Sequence, residues 1–290
     1  GHLVCLFFKS GCSGSAVASA LAFHPPDSLY DLCLNETTGK YSIELCSGIP
    51  RCKFKDLEVD VVTTKSKTAV PVLLFRAAHA KHTIIYSHGN ATDCGAMFAY
   101  YANLSQSLGV NVVGYDYTGY GPYNGVPSEK QTYKDIEAVY AWVCKRVCPN
   151  PGEQVILYGQ SVGSGPSVYL ASRQPVAGLV LHSPILSGVR VLTSSRLLAC
   201  CDIFPNIDRI KRVRCPVWII HGLDDEEVSV RHGKGLHDAV PVQHKHEPWW
   251  VIQRGHNDVL EGNEAEYIRR LAIFLSHLRG GVSEVHDFES

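Results

Sequence analysis

The hydrophobic rhythm of the chain changes near Phe54. From there, short β-branched and apolar runs alternate with longer stretches whose apolar residues recur at helical spacing. The runs predict strands over residues 57–63, 70–75, 82–87, 110–115, 154–158, 178–182, 217–221 and 249–253. Thr83-Ile84-Ile85-Tyr86 and Val217-Trp218-Ile219-Ile220 are apolar almost throughout, as central strands covered on both faces must be. Helices are predicted over residues 94–108, 128–147, 163–172, 232–239 and 264–278. Ser128 precedes Gln131 by three residues, the spacing of an N-cap with a glutamine at the third helical position. Strands alternating with crossover helices define the α/β class, with a mostly parallel central sheet flanked by helices.

Residues 1–48 lack this alternation and read as an N-terminal appendage, with a short helix over residues 16–23 stopped by Pro25-Pro26. Residues 49–290 read as one catalytic domain, a size ordinary for a sheet-centred fold. The formal net charge of -1, without a basic patch carrying interleaved aromatics, argues against a nucleic-acid partner. The 11 cysteines are scattered, with no C-x-x-C and no zinc-like Cys/His spacing, so reduced thiols are expected and no metal or other cofactor. His244-Lys245-His246 reads as a solvated turn rather than a metal site, and Trp249-Trp250 as core. The early apolar run from Leu3 to Phe8 is far short of the roughly 20 residues that span a bilayer.

Candidate chemistry sits at the ends of the predicted strands. Gly159-Gln160-Ser161-Val162-Gly163 follows the apolar run Val155-Ile156-Leu157-Tyr158 and opens a helix, the strand–turn–helix setting of a G-x-S-x-G nucleophile. A serine hydroxyl needs a base, and the base needs an orienting acid. In this fold they follow in the order serine, acid, histidine. His221-Gly222-Leu223-Asp224-Asp225 ends a buried run and offers two aspartates; the H-G-x-x-D-x-x-V spacing, closed by Val228, favours Asp225. Arg254-Gly255-His256-Asn257-Asp258 follows the last predicted strand, which makes His256 the base. Oxyanion donors are expected from the backbone amide of Val162 and from that of Asn90 or Ala91, in the loop Ser87-His88-Gly89-Asn90-Ala91. His88 is expected to brace that loop, and Tyr115 to Gly121 to be architecture near the site.

More specific stretches occur in order: Phe23-His24-Pro25-Pro26, Ser87-His88-Gly89-Asn90-Ala91, Asp116-Tyr117-Thr118-Gly119-Tyr120-Gly121, Pro127-Ser128-Glu129, Tyr158-Gly159-Gln160-Ser161-Val162-Gly163, Leu181-His182-Ser183-Pro184, Phe204-Pro205-Asn206-Ile207 and Gly255-His256-Asn257-Asp258. On these the chain resembles the abhydrolase-domain-containing family seventeen, from about Ala16 to Leu278. The resemblance implies an α/β-hydrolase fold with a small cap segment and a monomeric serine hydrolase. Its substrates would be S-acylated membrane proteins, from whose cysteines it removes palmitate through an acyl-serine. It also implies that residues 1–48 attach the protein peripherally to the cytoplasmic face of plasma or endosomal membranes. The family carries a dense, acylated N-terminal cysteine cluster; here Cys5 and Cys12 alone fall in the matching stretch, beside Leu6-Phe7-Phe8. The loop from Gln243 to Glu247 departs from the family pattern as well. Residues 185–213 form the expected cap, where Val189, Val191, Leu192, Leu197 and Leu198 are candidates to line an acyl groove. Two other functions fit the same residues, a lipid or small-molecule carboxylesterase and a non-catalytic scaffold of this fold.

Overall fold

The computed structural model describes residues 22–49, 54–188 and 203–279. Ten strands form one sheet: β1 (Tyr30–Asn35), β2 (Lys40–Leu45), β3 (Leu57–Thr63), β4 (Ala69–Phe75), β5 (Thr83–Ser87), β6 (Asn111–Tyr115), β7 (Val155–Gln160), β8 (Gly178–His182), β9 (Val217–Gly222) and β10 (Trp249–Val251). Their spatial order is β1-β2-β3-β4-β6-β5-β7-β8-β9-β10. β1 to β4 pair antiparallel, and β4 meets β6 antiparallel. From β6 to β10 every pairing is parallel. Each predicted strand forms, within a few residues of its predicted bounds.

The parallel strands are buried because helices cover both faces. α1 (Phe98–Leu108) and α5 (Glu264–Arg279) pack on one face. α2 (Glu129–Arg146), α3 (Ser164–Ala171) and α4 (Arg231–Ala239) pack on the other. Side chains along a strand alternate between the two layers. Ile156, Tyr158, Val180 and Ile220 join Phe98, Leu104, Leu271 and Phe274 in one core. Val155, Leu157, Leu181 and Ile219 join Ile136, Val139, Val168 and Leu236 in the other. Ser128 caps α2 by accepting the Gln131 amide. The Gln131 side chain turns inward instead of closing the cap, donating to Thr68, Thr118 and Asp135.

The stretch assigned to the appendage contains structure that belongs to the sheet. β1 and β2 form a hairpin that continues it beyond β3, and Tyr30 is fully buried with its hydroxyl 2.5 Å from Asp116 Oδ2. The sheet therefore starts at Tyr30, upstream of the boundary drawn at residue 48. The reason is local: the hairpin strands are half exposed and polar at alternate positions, so no apolar run marks them. Cys5, Cys12 and most of the helix predicted over residues 16–23 lie outside the described residues, as do Val189, Val191, Leu192, Leu197 and Leu198. The cap is described at its two ends, where Asn206 ties Ile185 O (2.9 Å) to the start of α3 through Ser164 Oγ (3.4 Å).

Candidate active site

Ser161 sits in the turn between β7 and α3 with φ of 51°, a left-handed conformation that costs a residue with a Cβ about 1 kcal/mol or more. The flanking glycines make the turn possible. A Cβ on Gly163 would lie 2.1 Å from Ser87 O, and one on Gly159 would lie 2.6 Å from Gly163 O. The chain thus turns sharply against β5 and lifts the Ser161 hydroxyl above the carboxyl ends of the parallel strands. Ser161 remains partly accessible.

The other two residues arrive from the next loops along the same edge. Asp225 follows β9 and His256 follows β10. His256 Nε2 lies 2.9 Å from Ser161 Oγ, and His256 Nδ1 lies 2.7 Å from Asp225 Oδ2. Asp225 also holds its own loop, because Oδ1 accepts the amides of Glu227 (3.0 Å) and Val228 (2.7 Å). Asp224 is exposed, and its amide donates to Arg254 O at 2.9 Å, joining the acid loop to the base loop.

Burial pushes the Asp225 carboxyl upward. Hydrogen bonds from His221, His256 and the Val228 amide, with the charge of His256, outweigh burial and hold it well below the usual carboxylate range. An ionised Asp225 requires a proton on Nδ1 of His256, which leaves the Nε2 lone pair facing the serine hydroxyl. His221 is a member of the site that the sequence reading quoted without assigning. Its Nε2 lies 3.0 Å from Asp225 Oδ2 and 2.7 Å from Val228 O, so it is a donor to both. Its position four residues before the acid was the available signal.

The oxyanion loop follows β5. The Ala91 amide is taken by the Asn90 side chain at 3.1 Å, whereas the Asn90 amide makes no hydrogen bond among the described residues. That favours Asn90 over Ala91 as donor. Val162 is in the first turn after the nucleophile, where amides lack an intrahelical acceptor. His88 is fully buried, with Nδ1 2.7 Å from Gly89 O and Nε2 3.1 Å from Asp116 Oδ1, a bracing position away from Ser161. Beneath the site, Tyr267 donates to Tyr158 and Tyr158 lies 3.1 Å from His182 Nδ1. Burial, then the neighbouring charges of His256 and His221, push the His182 pKa down to about 3.

Among the described residues no group of three His, Cys, Asp or Glu is arranged to hold a metal ion. His246 packs against Trp218, Phe274 and His277 rather than on an open turn. Trp250 packs partly buried against the core, and the six described cysteines are all free.

A nucleophile turn, a hydrogen-bonded serine–histidine–aspartate arrangement and this sheet order define an α/β-hydrolase with a serine hydrolase site. A family described as serine aminopeptidase, S33, matches residues 78–206. The chain is 40% identical to alpha/beta hydrolase domain-containing protein 17B of Homo sapiens over 283 residues, covering 95% of this chain and 96% of that protein. It is 39% identical over 282 residues to alpha/beta hydrolase domain-containing protein aho-3 of Caenorhabditis elegans, covering 94% and 81%. The chain belongs to the alpha/beta hydrolase domain-containing protein 17 family. The fold is shared with the Pyrococcus furiosus esterase Pf2001, at a TM-score of 0.66 and 17% identity over 80% of this chain and 98% of that one.

Proposed function

We propose that this protein hydrolyses long-chain acyl thioesters on protein cysteines at a membrane surface. The observation that carries the hydrolytic step is the spacing of Ser161, His256 and Asp225, at 2.9 Å and 2.7 Å along one strand edge. Choice of a palmitoyl thioester rests on the ordered family stretches, from Phe23-His24-Pro25-Pro26 to Gly255-His256-Asn257-Asp258.

Ser161 Oγ attacks the acyl carbonyl as His256 Nε2 takes its proton. The amides of Val162 and Asn90 stabilise the negative oxygen of the tetrahedral intermediate. The intermediate collapses with loss of the cysteine sulfur, which takes the proton from His256. Water then attacks the acyl-serine, giving its proton to His256, and the fatty acid leaves as Ser161 regains its hydrogen. Asp225 keeps the imidazole in the required tautomer and stabilises its charged form. None of these steps calls on a metal or organic cofactor.

The substrates in this reading are S-acylated membrane proteins, reached by a peripheral enzyme held at the cytoplasmic face by acyl chains on Cys5 and Cys12. Among the described residues no helix is long and apolar enough to cross a membrane. One acyl chain gives marginal binding and two give stable attachment, at about 0.8 kcal/mol per buried methylene. The test compares an S-palmitoylated peptide with a lysophospholipid on purified protein. Preferential turnover of the peptide is expected; preference for the lysophospholipid makes the protein a lipid carboxylesterase, and no turnover of either makes it a scaffold. Cys5→Ser with Cys12→Ser should move the protein from membrane to soluble fractions while peptide hydrolysis continues.

A further inference from the structure

The oxyanion loop is tied down from outside the catalytic domain as the sequence delimits it. Asn90, whose backbone amide faces the oxyanion position in the reading above, spends its side chain on residues 22–24. Its Nδ2 donates to Ala22 O at 2.9 Å, which fixes the orientation of the amide, since a carbonyl only accepts. The second Nδ2 hydrogen therefore points to His24 Nδ1, 3.1 Å away. Its Oδ1 accepts the His24 amide at 2.9 Å and the Tyr120 hydroxyl at 2.6 Å, besides the Ala91 amide at 3.1 Å. Tyr120 is buried, and its hydroxyl also accepts from the His24 amide at 3.1 Å. Both donors and the acceptor of the Asn90 side chain are thus in use.

Between the two tied residues, Phe23 turns inward. It is 5% exposed and meets Phe204 edge-on, with ring centroids 5.9 Å apart. The Phe204 ring in turn lies on Gly165 of α3, where a Cβ would come 2.1 Å from Cδ1. Residues 22–24 therefore contact the loop that supplies one oxyanion donor and, through Phe204, the helix that follows the nucleophile and the other donor.

We infer that residues 22–24 are a strap that sets the oxyanion hole, and that the Asn90 side chain is a positioning residue for its own backbone amide. A peptide amide in a glycine loop turns about a soft dihedral on each side, here ψ of Gly89 and φ of Asn90. Five side-chain bonds, three of them to residues 22–24, remove that freedom and keep the donor aimed where charge develops, without cost at the moment of reaction. The strap acts on the transition state and leaves substrate binding alone. It also places the control of the oxyanion hole on the segment through which any N-terminal attachment connects to the catalytic domain.

This inference rests on the serine-hydrolase reading of the site and not on the choice of a thioester. The experiment therefore uses the full chain and a short-chain p-nitrophenyl ester, which reports the triad whatever the natural substrate. Asn90→Ala should lower kcat about 10- to 100-fold, below or near the loss seen when an oxyanion donor is removed outright, with KM within about twofold. The inhibition constant of an aliphatic trifluoromethyl ketone, whose adduct with Ser161 carries the oxyanion, should rise by the same factor. Tyr120→Phe, which removes one hydroxyl and keeps the ring, should shift kcat and inhibition in the same direction by a smaller factor. It stands in for Asn90→Ala should that variant fail to fold. A folded variant with kcat and ketone affinity both unchanged overturns the inference. So does a loss of kcat matched by a loss of titratable Ser161 with ketone affinity unchanged, which would mark Asn90 as merely structural.

Discussion

The two edges of the sheet solve different problems. At the parallel side, β5 to β9 are buried at nearly every position between helices on both faces. At the antiparallel side, β1 and β2 are half exposed, and β2 meets β3 at the single pair Tyr41 and Val59. A strand buried on both faces cannot slip or tilt without opening a core layer, so its carboxyl end is a fixed mounting point. Ser161 and Asp225 stand on loops mounted in that way, after β7 and β9, and His256 follows the short edge strand β10, which pairs in parallel with β9. The antiparallel edge mounts no triad residue. The account predicts that damage to the first edge reaches the chemistry, while damage to the second changes stability alone.

The largest expected effect is at the acid. Asp225→Asn should lower kcat on the order of 10⁴-fold, since an amide favours the wrong imidazole tautomer, while Asp224→Asn should leave it within about twofold. Steady-state rates on one soluble ester separate the two. The next effect is on packing in β7. Ile156 is fully buried, and Ile156→Ala should cost about 2–5 kcal/mol in urea unfolding.

A smaller effect depends on pH. His182 is buried neutral with its pKa pushed down to about 3, against about 6.5 in an unfolded chain. Between those values the unfolded chain takes up a proton that the native protein does not. Stability therefore falls as pH drops from about 6.5 toward 3. At pH 5 the contribution is about 2 kcal/mol, the difference of 1.5 units between pH and the unfolded value. His182→Asn should flatten the decline measured by urea midpoints at pH 7.5 and pH 5. The smallest effect belongs to the hairpin. Ile43 is partly buried, and Ile43→Ala should cost about 1 kcal/mol with kcat unchanged. A large loss of kcat from Ile43→Ala would erase the distinction between the edges.

The same contrast governs what the sequence could reveal. Strands β4 to β9 were legible because burial on both faces demands apolar runs, β3 because its β-branched residues alternate with Glu58 and Asp60, and the G-x-S-x-G turn because two glycines must stand where a Cβ cannot. Choosing Asp225 over Asp224 from spacing alone was feasible because Val228 must turn back into the core, where it is 5% exposed. The hairpin was missed because Asp31, Cys33, Ser42 and Glu44 face outward and break any apolar run. The ties of Asn90 were illegible for another reason. Their partners lie 66 and 68 residues away along the chain, so no local pattern encodes them. His221 was visible in the motif, but its bond to Asp225 depends on side-chain direction that spacing does not fix.

The central claim is that an acyl group passes through Ser161. The most direct measurement mixes enzyme with an excess of S-palmitoylated peptide, quenches in acid within the first turnover, and maps the protein by peptide mass. The account predicts one palmitoyl group in ester linkage on Ser161, absent from Ser161→Ala and lost from wild type with time as free palmitate appears. Hydrolysis of the peptide with no acylated Ser161 at any quench time, or an acyl group on another residue that persists in Ser161→Ala, would contradict it.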